Sequence, residues 1–343
     1  MVKVRIIDVA QKAGVSKSTV SQFLNKRYEF MSEETRKRIA QAIKELGFQP
    51  NAIARSLKMK KTNTVGVIVA NILHPFSTAV SRGVEDYCQK HGYNVILCNA
   101  DDNPNKERAY IHMLQMKQVD GIIIASTGAN NELLKQEIDR GFPVVLFDRR
   151  FDDLETDMVY SDNRKGAYMA IEHLIQLGHK RIALVAPAGP LLSVRSERLE
   201  GYHEALKKYG IPADEHLIKF LSKTNTYTEL ESLWSMQNPP TAVFTINDLM
   251  AMEVLTYFKQ KLVRIPEDIA MIGFDDFPTA HLLASPLTVV AQPTYDIGVR
   301  SAELLIKHIE NEDKQSLKYV QHIFPCQLMI RESCGFRKKN GQS

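Results

Sequence analysis

The sequence predicts a small all-α head followed by an α/β body built as two doubly wound parallel-sheet lobes. Three observations lead there. Ile7 to Asn25 reads as two short helices about a glycine turn. From Val65 onward, continuous apolar runs alternate with helical stretches, the pattern of strands buried on both faces in a βαβ chain. That winding occurs twice, and 343 residues exceed one ordinary core.

In the head, Ile7, Val9, Ala10 and Ala13 give the first helix its apolar face, and Gly14 permits the sharp turn. Ser16 is a good cap for a second helix running to about Leu24, which turns Val20, Phe23 and Leu24 inward. Its other face carries Lys17, Ser18, Ser21, Gln22 and Asn25, short or amide-bearing donors suited to base edges and phosphates. A third helix, capped by Ser32 with Glu33 and Glu34 in its first turn, aligns Ile39, Ile43 and Leu46 and ends at Gly47. This is the layout of a DNA-reading helix-turn-helix.

Charge follows the same division. Residues 1–61 hold fourteen Lys/Arg against five Asp/Glu, a net of +9, while the whole chain is only +4. A basic head on a mildly acidic body is the pattern of a module that neutralises DNA phosphates. Pro50 breaks the third helix, Asn51 can cap a new one, and the stretch to Lys58 is too short to be helical alone in water.

The body opens with VGVIVA, then alternates helices near residues 76–91, 106–118 and 132–140 with NVILCN, GIIIAS and VVLF. The second round places helices near 164–177, up to Tyr209 and at 247–260 around RIALVA, TAVFTI and IAMIGFDD. Facing lobes of this kind turn the carboxyl ends of their strands toward a shared cleft. Polar residues just past strands are therefore the site candidates: Asn71, Asp148, Asn247, Asp248, Asp275 and Asp276. Adjacent residues point apart, which favours a structural role for Asp276.

The N-terminal pattern of D-V-A, A-G-V-S, T-V-S, L-N and S-x-x-T-R resembles the LacI/GalR family of bacterial transcription regulators, and the likeness continues to about Arg331. The resemblance implies a periplasmic-binding-protein-like body. It also implies a helix-turn-helix domain at 1–49, a hinge helix and linker at 50–62, an effector-binding and dimerisation domain at 63–331, and a tail at 332–343. Lobe one would take about 63–161 plus 293–321, and lobe two about 162–292 plus 322–331.

By that resemblance, DNA contacts fall to Ser16, Lys17, Ser18, Thr19, Ser21, Gln22, Asn25 and Thr35, and in the hinge to Asn51, Arg55 and Leu57. A leucine at position 57 would wedge a minor-groove base step; packing against Ile53 is its other available role. Gln22 stands where the family commonly has arginine, so an amide favouring adenine replaces a fork favouring guanine.

The same resemblance assigns the effector to Asn71, Phe76, Asp148, Tyr160, Arg198, Asn247, Asp275 and Gln292. Arg198 would grip it and Asp275 would accept its hydroxyls, with Asp148 and Gln292 on the opposite wall and Phe76 and Tyr160 as pocket rings. An arginine fork, carboxylates and rings together suit a sugar or sugar acid. Arg198 could instead salt-bridge on its helix, and Phe76 could be core. Arg149, Arg150, Arg195 and Lys223 add positive charge near the pocket, a hint of a carboxylate-bearing effector. The version VSQFLNKRYEFMS resembles a subgroup that controls hexuronate and pectin breakdown and responds to 2-keto-3-deoxygluconate.

The expected function is a repressor whose operator affinity a sugar or sugar-acid effector controls, acting as a homodimer on a pseudo-palindromic double-stranded operator. No leucine heptads follow Arg331, so no tetramer is expected. A global regulator controlled by a protein corepressor and a solute-binding receptor are the alternatives. Catalytic motifs such as G-x-x-x-x-G-K-[ST], G-x-S-x-G and H-E-x-x-H are absent from the sequence, so no enzyme and no cofactor are expected. Asp101, Asn103 and Asn105 begin like a calcium loop, but Lys106 and His112 replace its glycine and glutamate, so no metal is expected either. Cys88, Cys98, Cys326 and Cys334 form no C-x-x-C pair and read as reduced thiols. With no apolar run long enough for a membrane, a bacterial cytoplasmic, nucleoid-associated protein is expected.

Overall fold

The computed structural model describes residues 4–48, 61–189, 192–222, 224–311 and 319–336. The hinge residues Asn51, Arg55 and Leu57, and Lys223 in the body, lie outside the described residues. The chain divides into two compact units, Met1–Thr62 and Asn63–Ser343.

The first unit contains α1 (Ile6–Ala13), α2 (Lys17–Leu24) and α3 (Glu33–Leu46). Gly14 turns the chain between α1 and α2 at φ +63°, where a side chain would be strained. Ser16 Oγ accepts from Thr19 N at 3.1 Å and Ser32 Oγ from Thr35 N at 3.2 Å, so both expected caps form. At α1, Arg5 has no side-chain acceptor to offer, and the Asp8 carboxylate takes the Arg5 amide instead at 2.7 Å. Val9, Ala10, Ala13, Val20, Met31, Ile39, Ala42 and Phe48 bury together as the core. Arg36 anchors the connection into α3 by donating to the carbonyls of Tyr28 and Met31 at 3.2 and 3.3 Å.

The second unit holds two six-stranded sheets. In lobe one, β1 (Thr64–Val69), α4 (Pro75–Lys90), β2 (Asn94–Asn99), α5 (Pro104–Met116), β3 (Gly121–Ile124), α6 (Asn131–Asp139), β4 (Val144–Phe147) and β5 (Asp157–Ser161) alternate in the expected way. The chain then enters lobe two with α7 (Asn163–Gln176), β6 (Ile182–Pro187), α8 (Ser193–Lys208), β7 (Ile218–Leu221), α9 (Thr226–Trp234), β8 (Ala242–Thr245), α10 (Asp248–Lys261), β9 (Ala270–Phe274) and β10 (Thr288–Ala291). It returns to lobe one for α11 (Thr294–Glu310) and β11 (Gln321–Phe324), and crosses once more to β12 (Gln327–Met329).

The strand orders are β11-β5-β4-β3-β1-β2 and β12-β10-β9-β8-β6-β7, parallel throughout except where β12 runs antiparallel to β10. The last crossing corrects the expected boundary after residue 321. His322, Ile323 and Phe324 pair with Val159, Tyr160 and Ser161 of β5, so lobe one keeps them. Backbone hydrogen bonding along a whole strand outweighs the weak apolar character of QHIF.

A close crossing packs the two helices α4 and α11 together in lobe one. A Cβ on Gly298 would meet Val80 O at 2.1 Å, and one on Gly83 would meet Tyr295 O at 2.2 Å, so α4 and α11 touch backbone to backbone. Gly298→Ala is therefore expected to cost about 1–3 kcal/mol, read as a lower urea midpoint at unchanged slope. An unchanged midpoint would show that the two helices can separate freely.

Candidate functional site

The two lobes present matching carboxylates. β4 and β9 occupy equivalent places in their sheets, and the residue after each, Asp148 and Asp275, takes a left-handed backbone at φ +67° and +75°. Asp148 N donates to Val159 O at 3.0 Å and Asp275 N to Val290 O at 2.9 Å, so the neighbouring strand holds each strained residue in place. Strained non-glycine residues at strand exits mark sites where side-chain placement outweighs backbone comfort. Burial pushes both carboxyls above the usual carboxylate range, against the lowering effect of Arg149 and Arg198 on Asp148 and of Arg198 on Asp275.

Arg198 is 5% exposed. Its Nη1 donates to Ile246 O at 2.6 Å, its Nε to Asn163 Oδ1 at 2.8 Å, and its Nη1 lies 3.7 Å from Asp275 Oδ2. The guanidinium stacks 3.6 Å from the centre of the Phe274 ring. Gln292, just past β10, donates Nε2 to Asp275 Oδ1 at 2.5 Å. A cavity of about 270 Å³ opens there, lined by Pro75 and Phe76 from one lobe, Asp275 and Asp276 from the other, and Gln292 and Thr294 at the crossing. Asp276 itself is tied to Arg331 by two hydrogen bonds of 3.0 and 2.7 Å, the structural role expected of it.

Three expected site residues sit differently. Tyr160 is buried in the apolar layer with Met158 and Ile124, and its hydroxyl donates to Gln321 at 2.9 Å. Strand alternation puts Tyr160 on that layer and Val159 on the other, and its side chain pairs with Arg150 at the junction of the lobes rather than with Asp275. Asn247 Oδ1 caps α10 by accepting from Met250 N at 2.9 Å. Asn71 Oδ1 accepts from Leu73 N at 2.9 Å, shaping the turn into α4. Phe76, Asp275 and Gln292 line one cavity, Arg198 lies beside Asp275, and Asp148 is near enough for its charge to act on Asp275.

Sequence reasoning singled out Asp248 and Arg150 near the cleft but not their part in joining the lobes, and it missed His74, Ser193 and Glu197. His74 Nδ1 and Asp248 Oδ1 lie 2.7 Å apart, linking the start of α4 to the start of α10. Arg150 N donates to Ser193 Oγ at 2.9 Å, and its guanidinium lies 3.7 Å from Glu197. Burial pulls the His74 imidazole pKa down, but the hydrogen bond to Asp248 and the charges of Asp248, Asp275 and Asp102 outweigh it and leave the pKa above the ordinary value. A raised imidazole pKa contributes stability that is complete below the unfolded value and fades as pH rises through the folded one. Stability is accordingly expected to fall as pH rises through the raised imidazole value, and His74→Gln to flatten that dependence in denaturation measurements. The only cue in the sequence was a histidine just before a helix-starting proline.

The head presents its own surface. Ser16, Lys17, Ser18, Gln22 and Asn25 are exposed along and beside α2, with Thr19, Ser21 and Thr35 half-buried. Asn25 Nδ2 donates to Ser21 O at 2.9 Å, and Ser16 Oγ lies 2.6 Å from Ser18 Oγ. Among the described residues, no hydrogen bond or ion pair occupies the side-chain donors of exposed Gln22 and Lys17. Among the described residues no cluster of His, Cys, Asp and Glu could hold a metal ion, and no helix is long and apolar enough to cross a membrane.

A helix-turn-helix head on a two-lobed, ligand-sized cleft defines the class: a DNA-binding regulator with a small-molecule sensor. Residues 5–51 match the family described as bacterial regulatory proteins, lacI family, and residues 62–332 match the periplasmic binding proteins and sugar binding domain of the LacI family. The chain belongs to the LacI family of bacterial transcriptional regulators. It is 44% identical over 309 residues to the probable HTH-type transcriptional regulator EndR of Paenibacillus polymyxa, covering 90% of this chain and 91% of that one. It is 35% identical over 310 residues to the HTH-type transcriptional regulator KdgR of Bacillus subtilis, covering 90% and 91%. The solved lac repressor dimer bound to operator and the anti-inducer ONPF superposes with a TM-score of 0.83 at 25% identity, covering 96% and 99%.

Proposed function

We propose that this regulator is a repressor, working in the bacterial cytoplasm at the nucleoid, that dimerises on a pseudo-palindromic operator and responds to a sugar or sugar acid. The observation that supports the effector reading is the cavity between the lobes that Phe76, Asp275 and Gln292 line, with Arg198 3.7 Å from Asp275 and Asp148 close enough to feel the charge of Arg198. Carboxylates accept from hydroxyls, and a ring covers an apolar sugar face. The resemblance of VSQFLNKRYEFMS to the 2-keto-3-deoxygluconate subgroup, with KdgR among the relatives, supports that compound as the effector.

Exposed Leu73, Leu249, Met252 and Leu282 support a homodimer, since Leu249 and Met252 share one face of α10. In the hinge, Asn51, Arg55 and Leu57 are assigned the minor-groove contact, the wedge being Leu57. Ser16, Lys17, Ser18, Thr19, Ser21, Gln22, Asn25 and Thr35 are assigned the major groove and its phosphates.

Selection of bound duplexes from a random pool, repeated with and without 2-keto-3-deoxygluconate, tests the whole reading. Two half-sites related by a dyad are expected, with recovery lost when the effector is added. An asymmetric single site would remove the dimer, and recovery that rises with effector would make the small molecule a corepressor.

A further inference from the structure

Arg149 follows the cleft carboxylate Asp148 and is 6% exposed. Its Nη1 donates to Ser126 O at 3.0 Å and its Nη2 to Asp102 Oδ1 at 2.5 Å. The loop bearing Ser126 is itself held by buried Glu107, which accepts from Thr127 N at 2.6 Å and Asn130 Nδ2 at 2.9 Å. Arg149 is thus rigidly placed, yet its buried Nε has no hydrogen-bond partner. The Asp148 Oδ2 atom lies 3.8 Å from it, beyond hydrogen-bond reach. A buried guanidinium N–H in that state calls for an oxygen acceptor.

The opposite lobe brings a second guanidinium, beside Gly189, within electrostatic reach of the first. Because Ser193 Oγ accepts from Arg150 N, the first turn of α8 abuts the Arg149–Arg150 loop. Arg195 sits in that turn, three residues before Arg198 and on the same helix face. Burial and then the like charge of Arg149, with a further contribution from Arg198, hold the Arg195 pKa below its ordinary value despite Asp102 and Asp148. The positive end of α8 adds to that potential.

We propose that Arg149 and Arg195 form a carboxylate seat across the cleft, so that the effector is a sugar acid rather than a neutral sugar. Arg149 Nε donates to one carboxylate oxygen and Arg195 to the other, while Asp148 and Asp275 accept from the hydroxyls. This deepens the reading of the cleft as the effector site and rests on it.

Calorimetry on the full chain against 2-keto-3-deoxygluconate, D-gluconate and D-galacturonate, with D-glucose and D-galactose as neutral counterparts, tests the seat. At least one acid is expected to bind, with its neutral counterparts about 30-fold weaker or more. Arg149→Gln and Arg195→Gln should each reduce acid affinity about tenfold or more. If Arg149→Gln does not fold, the half-buried Arg195 position carries the test alone. A neutral sugar bound as tightly as any acid, or acid binding unchanged in Arg195→Gln, overturns the seat. Should Asp275→Asn abolish that binding, the cleft still stands as the effector site. Failure of every compound to bind at millimolar concentration overturns both.

Discussion

Alanine at position 198 should lower effector affinity more than about 100-fold and leave the operator complex insensitive to effector. Arg198 connects the β8 exit at Ile246, the start of α7 at Asn163, the Phe274 ring and Asp275. Removing it deletes a contact for the ligand and also leaves Asp275 without its nearest cation, so that burial drives the carboxyl further toward its neutral form. Because the guanidinium is buried, the variant should also lose about 3 kcal/mol of stability. Chemical denaturation gives the stability loss, and calorimetry below the unfolding range gives the affinity. Arg198→Lys separates the two, since lysine keeps the charge but not the planar fork. It should recover part of the stability and little of the binding. Full effector affinity in a folded alanine variant would remove Arg198 from the ligand's surroundings.

Gln22→Ala should weaken operator binding by about 1–3 kcal/mol per half-site and relax the preference at one base pair, with the salt dependence unaltered. Gln22 is exposed on α2, two residues past buried Val20, so truncation removes its amide without disturbing the core. An amide reads a base edge, and removing it releases no counterions. Lys17→Ala is the contrasting case: binding should weaken evenly across sequences, and the slope of affinity against salt should fall by about 0.9 per contact. Competition of operator variants against random duplex at two salt concentrations distinguishes the two. A Gln22→Ala protein with unchanged base preference would assign recognition elsewhere in the head.

Most of the fold was legible because its signals are local. Ser16 and Ser32 cap helices through amides three residues away, and Gly14 turns the chain at a positive φ. Buried strands such as VGVIV and GIII announce themselves as apolar runs. Of the four edge strands only β2 did, since β7, β11 and β12 are only partly buried and keep polar residues among apolar ones. β5 was hidden differently: Asp157 and Tyr160 interrupt a strand that is buried throughout.

The candidate site was half legible. Asp148 and Asp275 follow strands and could be read from position, whereas His74 and Asp248 meet across 174 residues of chain and share no motif. Tyr160 shows the reverse case, a residue assigned by likeness that strand alternation directs into an apolar layer.

The order of amino acids was enough to establish a basic helix-turn-helix, two rounds of βαβ winding and the family to which the chain belongs, because caps, apolar periods and charge act between near neighbours. Only the tertiary structure decided which polar groups share the cleft, that His74 and Arg150 bridge the lobes, and that Arg149 keeps one buried donor without a partner. Those outcomes depend on where three chain crossings bring distant strand ends, and contact between residues so far apart leaves no periodic trace along the chain.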